Sequence, residues 1–295
     1  MISGNVPKHL VSGARTGFLT AMRAAQLPYQ RVAMTVQMDG KSMDLVDLGG
    51  APMPVKSTTG REIQDMIEKS IAIEPEDWDI IVWISQNAID DDRTGTLERK
   101  VRAAGGNFSR HINKRVFEVL NGGDGSTYGA CYDGSDFFDD DHVDDGAAYD
   151  TDQKNEWALA LSMDNFETVH VAAQQFVDDQ GVYTEYQYDL LVVPPALERT
   201  AAQIAANEWS YDTANRERNP YDGKIQYITT PHYDATAWHL IASNEPIKPT
   251  IVAMREQPSL QSAWFDPLQP DGGHYYFKFY ARYEMYYGDW RLAAQ

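Results

Sequence analysis

Two residues that chemistry often couples, Cys131 and His142, bracket the segment Cys131-Tyr132-Asp133-Gly134-Ser135-Asp136-Phe137-Phe138-Asp139-Asp140-Asp141-His142. A thiol beside an imidazole becomes a nucleophile once the base takes its proton. Nothing upstream supplies an oxyanion-hole motif to go with it. The same segment opens a stretch with nine Asp between Asp133 and Asp152 and no Lys or Arg. Crowded carboxylates suit calcium, but the spacing misses the Asp-x-Asp-x-Asp-Gly loop with its closing Glu. The simpler reading is a solvated loop whose charges repel one another.

A second group is His232, Asp234 and His239, two imidazoles and a carboxylate of the kind that hold zinc. The segment reads as a turn between two strands, and the strand alternation sets His239 opposite Trp238 and Leu240. The chain has 44 acidic residues, yet no carboxylate pair stands out as a glycosidase couple. Gly122-Gly123-Asp124-Gly125 resembles a phosphate cradle only in glycine content, because it follows a helix instead of opening one. The residues therefore assign no catalytic, cofactor-binding or metal site, and the expectation is that the protein is not an enzyme.

The elements that position these groups follow from periodicity. Leu10, Ala14, Phe18 and Met22 share one helical face, which Pro28 ends. Val32, Met34, Val36 and Met38 alternate up to a turn at Asp39-Gly40-Lys41, and Leu45, Val46 and Leu48 start a second extended run. Together they predict a two-stranded finger over residues 32–56 with no core of its own, marginal unless it leans on something else. Ile80–Ile84 reads as a short buried strand. Leu97, Val101, Ala104, Phe108, Ile112, Val116 and Val119 then step by three or four. They predict a helix from about Thr96 to Leu120, roughly 37 Å long. Gly105-Gly106 in its middle invites a bend or a close backbone contact, and Asn121-Gly122-Gly123 stops it.

Further on, Ser162 is a candidate N-cap for a helix over Met163–Val177. Leu190–Val193 is a buried strand, and Pro194-Pro195 leads into a helix over Ala196–Asn207. Strands follow at Ile225–Thr229, Trp238–Ala242 and Thr250–Arg255. The clearest strand runs from Phe277, with Phe277, Phe279, Ala281, Tyr283 and Met285 on one face and Lys278, Tyr280, Arg282 and Glu284 on the other.

Composition narrows the function classes. The chain has 295 residues and a net charge of −19, so tight nucleic-acid binding through its surface is disfavoured, since phosphate contacts depend on Lys and Arg. The single cysteine excludes an intrachain disulfide and fits a reducing compartment. No apolar run reaches the ~18 residues of a membrane span, and the N-terminus lacks an export signal. A soluble protein made and used in the cytoplasm is expected.

Several segments in order resemble the major head subunit of Mu-type tailed phages. They are Tyr29-Gln30-Arg31-Val32-Ala33-Met34, the pattern from Cys131 to His142, and Leu191-Val192-Val193-Pro194-Pro195-Ala196-Leu197. Thr229-Thr230-Pro231, Trp238-His239-Leu240-Ile241-Ala242 and Asp289-Trp290-Arg291 complete the set. The resemblance implies an α+β protein with the Hong Kong 97-type phage capsid fold. It carries an N-terminal arm over 1–31, an extended β-finger loop over 32–62 and a peripheral domain with a long spine helix over 63–125. An axial domain would span 126–248, and strands returning to the peripheral domain 249–295.

The implied function is a major capsid protein that self-assembles into pentamers and hexamers, forming the icosahedral head around double-stranded DNA and residing in the virion. Its implied partners are copies of itself, a separate scaffolding protein and a portal; no membrane and no cofactor is involved. Some capsids of this type crosslink through lysines, so Lys41 and Lys56 are candidates for that, although most surface lysines are only solvated. Two other classes compete: an encapsulin-type nanocompartment shell, and a soluble metal-dependent hydrolase.

Overall fold

The computed structural model describes residues 16–17, 20, 27–40, 43–48, 68–85, 87, 96–142, 152–178, 181–208, 218–265 and 273–295. Most of the expected arm, both Lys41 and Lys56, and residues 143–151 of the Asp-rich stretch lie outside them.

Two four-stranded sheets and one long helix share a core. The first sheet has strand order β1-β8-β9-β4. Its centre is the long antiparallel pair β8 (Thr250–Phe265) and β9 (His274–Tyr287). β9 keeps strict alternation, burying Tyr275, Phe277, Phe279, Ala281, Tyr283, Met285 and Tyr287, as its period-two pattern requires. The ladder between β8 and β9 slips between Met254 and Ser259. Pro258 sits in that stretch and cannot donate to a ladder, which confines it to a bulge.

β4 (Glu76–Ser85) forms one edge. It is longer than expected and not fully buried. Ile84 faces the core, whereas Ile81 and Trp83 are 56% and 62% exposed on the outer face.

The other edge corrects the predicted finger. β1 (Ala33–Gln37) runs parallel to β8, Ala33 opposite Thr250 and Gln37 opposite Met254. The alternating residues 32–38 therefore belong to the main sheet. The two-stranded ribbon is built instead from β2 (Met43–Leu48) and β3 (Glu68–Ile73), antiparallel with Met43 opposite Ile73. Pattern alone shows that a segment is extended; it does not choose the partner, and here the parallel partner lies over two hundred residues away. Met38, Ile73 and Ala253 form a small separate core where the ribbon leaves the sheet.

α1 (Thr96–Asn121) packs against β8 and β9. It buries Ala104, Phe108, Ile112, Val116, Phe117, Val119 and Leu120. The phenol of Tyr283 meets Nδ1 of His111 at 2.7 Å, and Phe108 meets the Tyr283 ring edge-on. The helix passes through Gly105-Gly106 as one element. A Cβ on Gly106 would meet nothing nearer than the Arg110 guanidinium at 3.9 Å, so no close backbone contact explains that glycine.

The second sheet has order β10-β7-β5-β6. β5 (Leu190–Val193) is buried throughout, parallel to β6 (Gln226–Thr229) and antiparallel to β7 (His239–Ile241). α2 (Met163–Ala173) starts at Ser162, whose hydroxyl accepts from the Asn165 N–H at 3.2 Å. α3 (Glu198–Ala205) follows a short 3-10 turn at Pro195–Leu197. The segment expected to return wholly to the first sheet divides. After β9 the chain crosses over, and β10 (Ala293–Ala294) pairs with β7. The crossover turns at Gly288, whose N–H donates to the Pro249 carbonyl at 2.8 Å. A side chain there would strike the Lys248 carbonyl oxygen.

Candidate functional site

The segment Cys131–His142 folds back on itself and locks against both sheets. The Cys131 N–H donates to the Ser135 carbonyl, and the Gly134 N–H returns a bond to Cys131. Gly134 adopts φ +92°, a conformation that favours glycine. The Phe138 N–H donates to the Gly123 carbonyl at 2.8 Å, tying the segment to the end of α1. Gly123 is required there, because a Cβ would stand 2.8 Å from the Phe138 ring. Phe137 stacks on Tyr287 at 4.7 Å, and Phe138 on His239 at 4.5 Å. The two rings plug the seam between the sheets.

Asn155 is the hub. Its Nδ2 donates to the carbonyls of Phe137, Trp290 and Ala293 at 2.8, 3.2 and 3.3 Å. Its Oδ1 accepts from the Asp139 N–H at 3.0 Å, which fixes the amide orientation. The Nε2 of His142, 3.1 Å from that oxygen, must therefore donate. Its Nδ1 lies 2.6 Å from Asp133 Oδ2, with both side chains buried. One proton is shared across that contact, since a ring lone pair facing a carboxylate would repel it. The His142 ring stacks on Trp290 at 4.1 Å and 3°. Asp289 closes the far side, accepting from the Arg291 N–H and the hydroxyls of Tyr132 and Tyr186. The Gln295 N–H donates to the Asn155 carbonyl at 2.8 Å.

This geometry decides the candidate chemistry. Cys131 and His142 are not a nucleophilic couple: the ring nitrogens are committed to Asp133 and Asn155, and the thiol is buried with the Gly288 carbonyl 3.7 Å away. Burial, then the Asp133 charge, push that thiol well above its ordinary range, away from the thiolate that reacts. His239 is also buried. Its Nε2 meets Gln295 Oε1 at 3.3 Å, Nδ1 has no hydrogen-bond partner among the described residues, and burial holds the ring down to about 3. Asp234 bonds the Asn121 side chain at the surface, and the His232 N–H reaches Thr230. The three groups do not converge; among the described residues no set of His, Cys, Asp and Glu is arranged for a metal. Among the same residues no helix is long and apolar enough to cross a membrane.

The Asp-rich stretch is not simply a solvated loop. Asp133 is sealed against His142 by their hydrogen bond, and residues 131–142 are built into the core's edge. The sequence marked this segment but not its hub, since Lys154-Asn155-Glu156 carries no pattern of its own. What the arrangement does chemically is hold: it closes a seam, with its imidazole engaged and its thiol buried.

An α+β subunit of two four-stranded sheets, a long helix and a two-stranded ribbon, knitted by a buried polar clasp, has the fold of phage capsid subunits. It overlays the procapsid of bacteriophage JBD30 with TM-score 0.53 at 21% identity, over 98% of this chain and 75% of that one. A virus-like particle from Pyrococcus furiosus matches with TM-score 0.54 at 12% identity, over 97% and 98% of the two chains. Residues 8–158 and 154–233 match the Mu-like prophage major head subunit gpT, and the chain belongs to that family. It is similar to the major capsid protein of Escherichia phage Mu, 28% identical over 135 residues. That alignment spans 46% of this chain and 43% of the phage Mu protein.

Proposed function

We propose that this chain is the wall-forming major subunit of an icosahedral phage head, and that its work is structural. The observation that carries the reading is the family match over most of the chain, joined to a capsid-subunit fold along nearly its whole length. The clasp supports it: the residues most suggestive of chemistry are spent on holding two sheets together.

In this reading α1 is the spine helix and the β1-β8-β9-β4 sheet the body of the peripheral domain. The second sheet is the axial domain, and the ribbon of β2 and β3 is the extended loop. That loop starts after β1, near residue 43 instead of 32. Residues 1–31 act as the arm. Copies gather into pentamers and hexamers, with a separate scaffolding protein and a portal, and enclose double-stranded DNA in the virion after assembly in the host cytoplasm. A net charge of −19 suits a wall that surrounds DNA without gripping it.

The likeness to the Pyrococcus particle favours, as a second reading, a shell that is not a phage head. Neighbouring portal and terminase genes, as opposed to a cargo-enzyme gene, separate the two.

Assembly tests the main reading. Expressed with its scaffolding partner, the chain is expected to give pentamers, hexamers or closed shells by electron microscopy; a strictly monomeric protein under all assembly conditions overturns it. Excising residues 44–72 probes the loop. Met43 and Ile73 are ladder partners, so the cut ends lie only about 5 Å apart. The shortened subunit is expected to fold and to lose assembly.

A further inference from the structure

α1 is a positive island in a negative chain. It holds six Lys and Arg against two Glu. Arg99, Lys100, Ala103, Asn107, Arg110 and Lys114 are all exposed, while the opposite face is buried in the sheet. At 3.6 residues per turn these six fall within a sector about 100° wide, and Arg99 to Lys114 spans about 22 Å. No carboxylate interrupts the stripe. Glu118 lies at one end, 3.3 Å from Lys114, and Arg110 bonds Asn107.

An acidic face stands beside the clasp. Asp124, Asp140 and Asp141 are exposed; Asp136, Asp139 and Glu156 are half-buried. Glu156 is pushed up by its own burial and then by Asp124, Asp140, Asp139 and Asp136. The nearby Lys154 lies over the Trp157 ring. Among the described residues no ion pair links this face to the α1 stripe. For the far half of the stripe the reason is distance, and Lys114 at the near end is paired with Glu118. The face is anchored at the C-terminal end of α1 through Gly123 and Phe138. Arg99 and Lys100 lie about 32 Å from Asn121 along the helix axis, out of reach within one copy.

We propose that the acidic face of one copy docks on the basic α1 stripe of a second copy. This rests on the head-subunit reading and adds a contact that sets register between copies. A face meeting a different face is a heterologous contact, which closes into rings when the rotation fits. Opposed charges at such a rim steer encounter and suppress wrong pairings. The contact also gives these carboxylates cations that the described residues of their own copy do not provide.

The test is a charge exchange in the full chain, expressed with its scaffolding partner. One variant carries Lys100→Glu and Arg110→Glu, a second Asp140→Lys and Asp141→Lys, and a third all four. Every altered side chain is exposed, so circular dichroism and thermal melting should match the parent. Each reversal is expected to lower particle yield about ten-fold, and the combination to restore most of it, because the pairing depends on complementary charge. A combination no better than the worse single reversal overturns the proposal. So does an α1 reversal that assembles normally; if its particles then retain less duplex DNA, the stripe faces nucleic acid. A crosslink reads the contact directly. Asn107→Cys with Asp140→Cys should give a ladder of covalent multimers on oxidation, against a background in which Cys131 is buried; particles without a ladder also overturn it. Parent protein that forms no particles at all would instead overturn the head-subunit reading.

Discussion

Asn155 satisfies five partners with one side chain, and those partners come from two distant parts of the chain, 137–142 and 290–293. Removing it leaves a backbone N–H and an imidazole N–H without their acceptor and takes a donor from three carbonyls in a buried site. Each unmet buried group is expensive, so Asn155→Ala should destabilise the subunit by on the order of 4 kcal/mol in urea unfolding. Asn155→Asp should do no better, since a carboxylate oxygen would face the carbonyls of Phe137, Trp290 and Ala293. His239 gives a pH signature. Its folded value, about 3, lies below the ordinary 6.5 because burial disfavours the charged ring. Between those values the unfolded chain takes up a proton that the folded chain refuses. Its contribution is therefore complete above pH 6.5 and is lost as the pH falls; by pH 4 the loss is about 3 kcal/mol. His239→Gln should flatten that part of the stability profile, measured by unfolding at pH 7 and pH 4. Cys131 should resist maleimide in the native subunit and react fully in denaturant.

The elements differ in how plainly they were written. α1, α2, β5 and β9 were legible because a single period, with its cap or stop signals, decides each one. The partner of β1 was not, because a short alternating strand reads the same beside a neighbouring hairpin or beside residues 250–254. Ile81 and Trp83 misled for a related reason: an apolar run in an edge strand looks like a buried one until its neighbours are known. The clasp was half legible. Phe137, Phe138 and His142 stand out, but the Asn155 amide works on the backbone carbonyls of Phe137, Trp290 and Ala293, which no side-chain pattern announces. At this scale the sharpest test is Gly288, the pivot between the sheets. Gly288→Ala forces the chain against the Lys248 carbonyl and should cost about 3 kcal/mol, read as a lowered Tm. Alanine at Gly125, where nothing lies within 4 Å of the added carbon, should change stability by no more than about 0.5 kcal/mol.

At the scale of the molecule, the pairing of β1 with β8 joins early residues to late ones, and the pairing of β10 with β7 waits for the last residues of the second sheet. A nascent chain halted before residue 289 lacks Asp289, Trp290 and Ala293, and its clasp has nothing to close upon. Long-range pairings of this kind form late. The subunit thus acquires its finished surface only once synthesis has passed the crossover. In the proposed role, a truncated product could then not pose as a sound tile, and a shell would be protected from its own incomplete bricks.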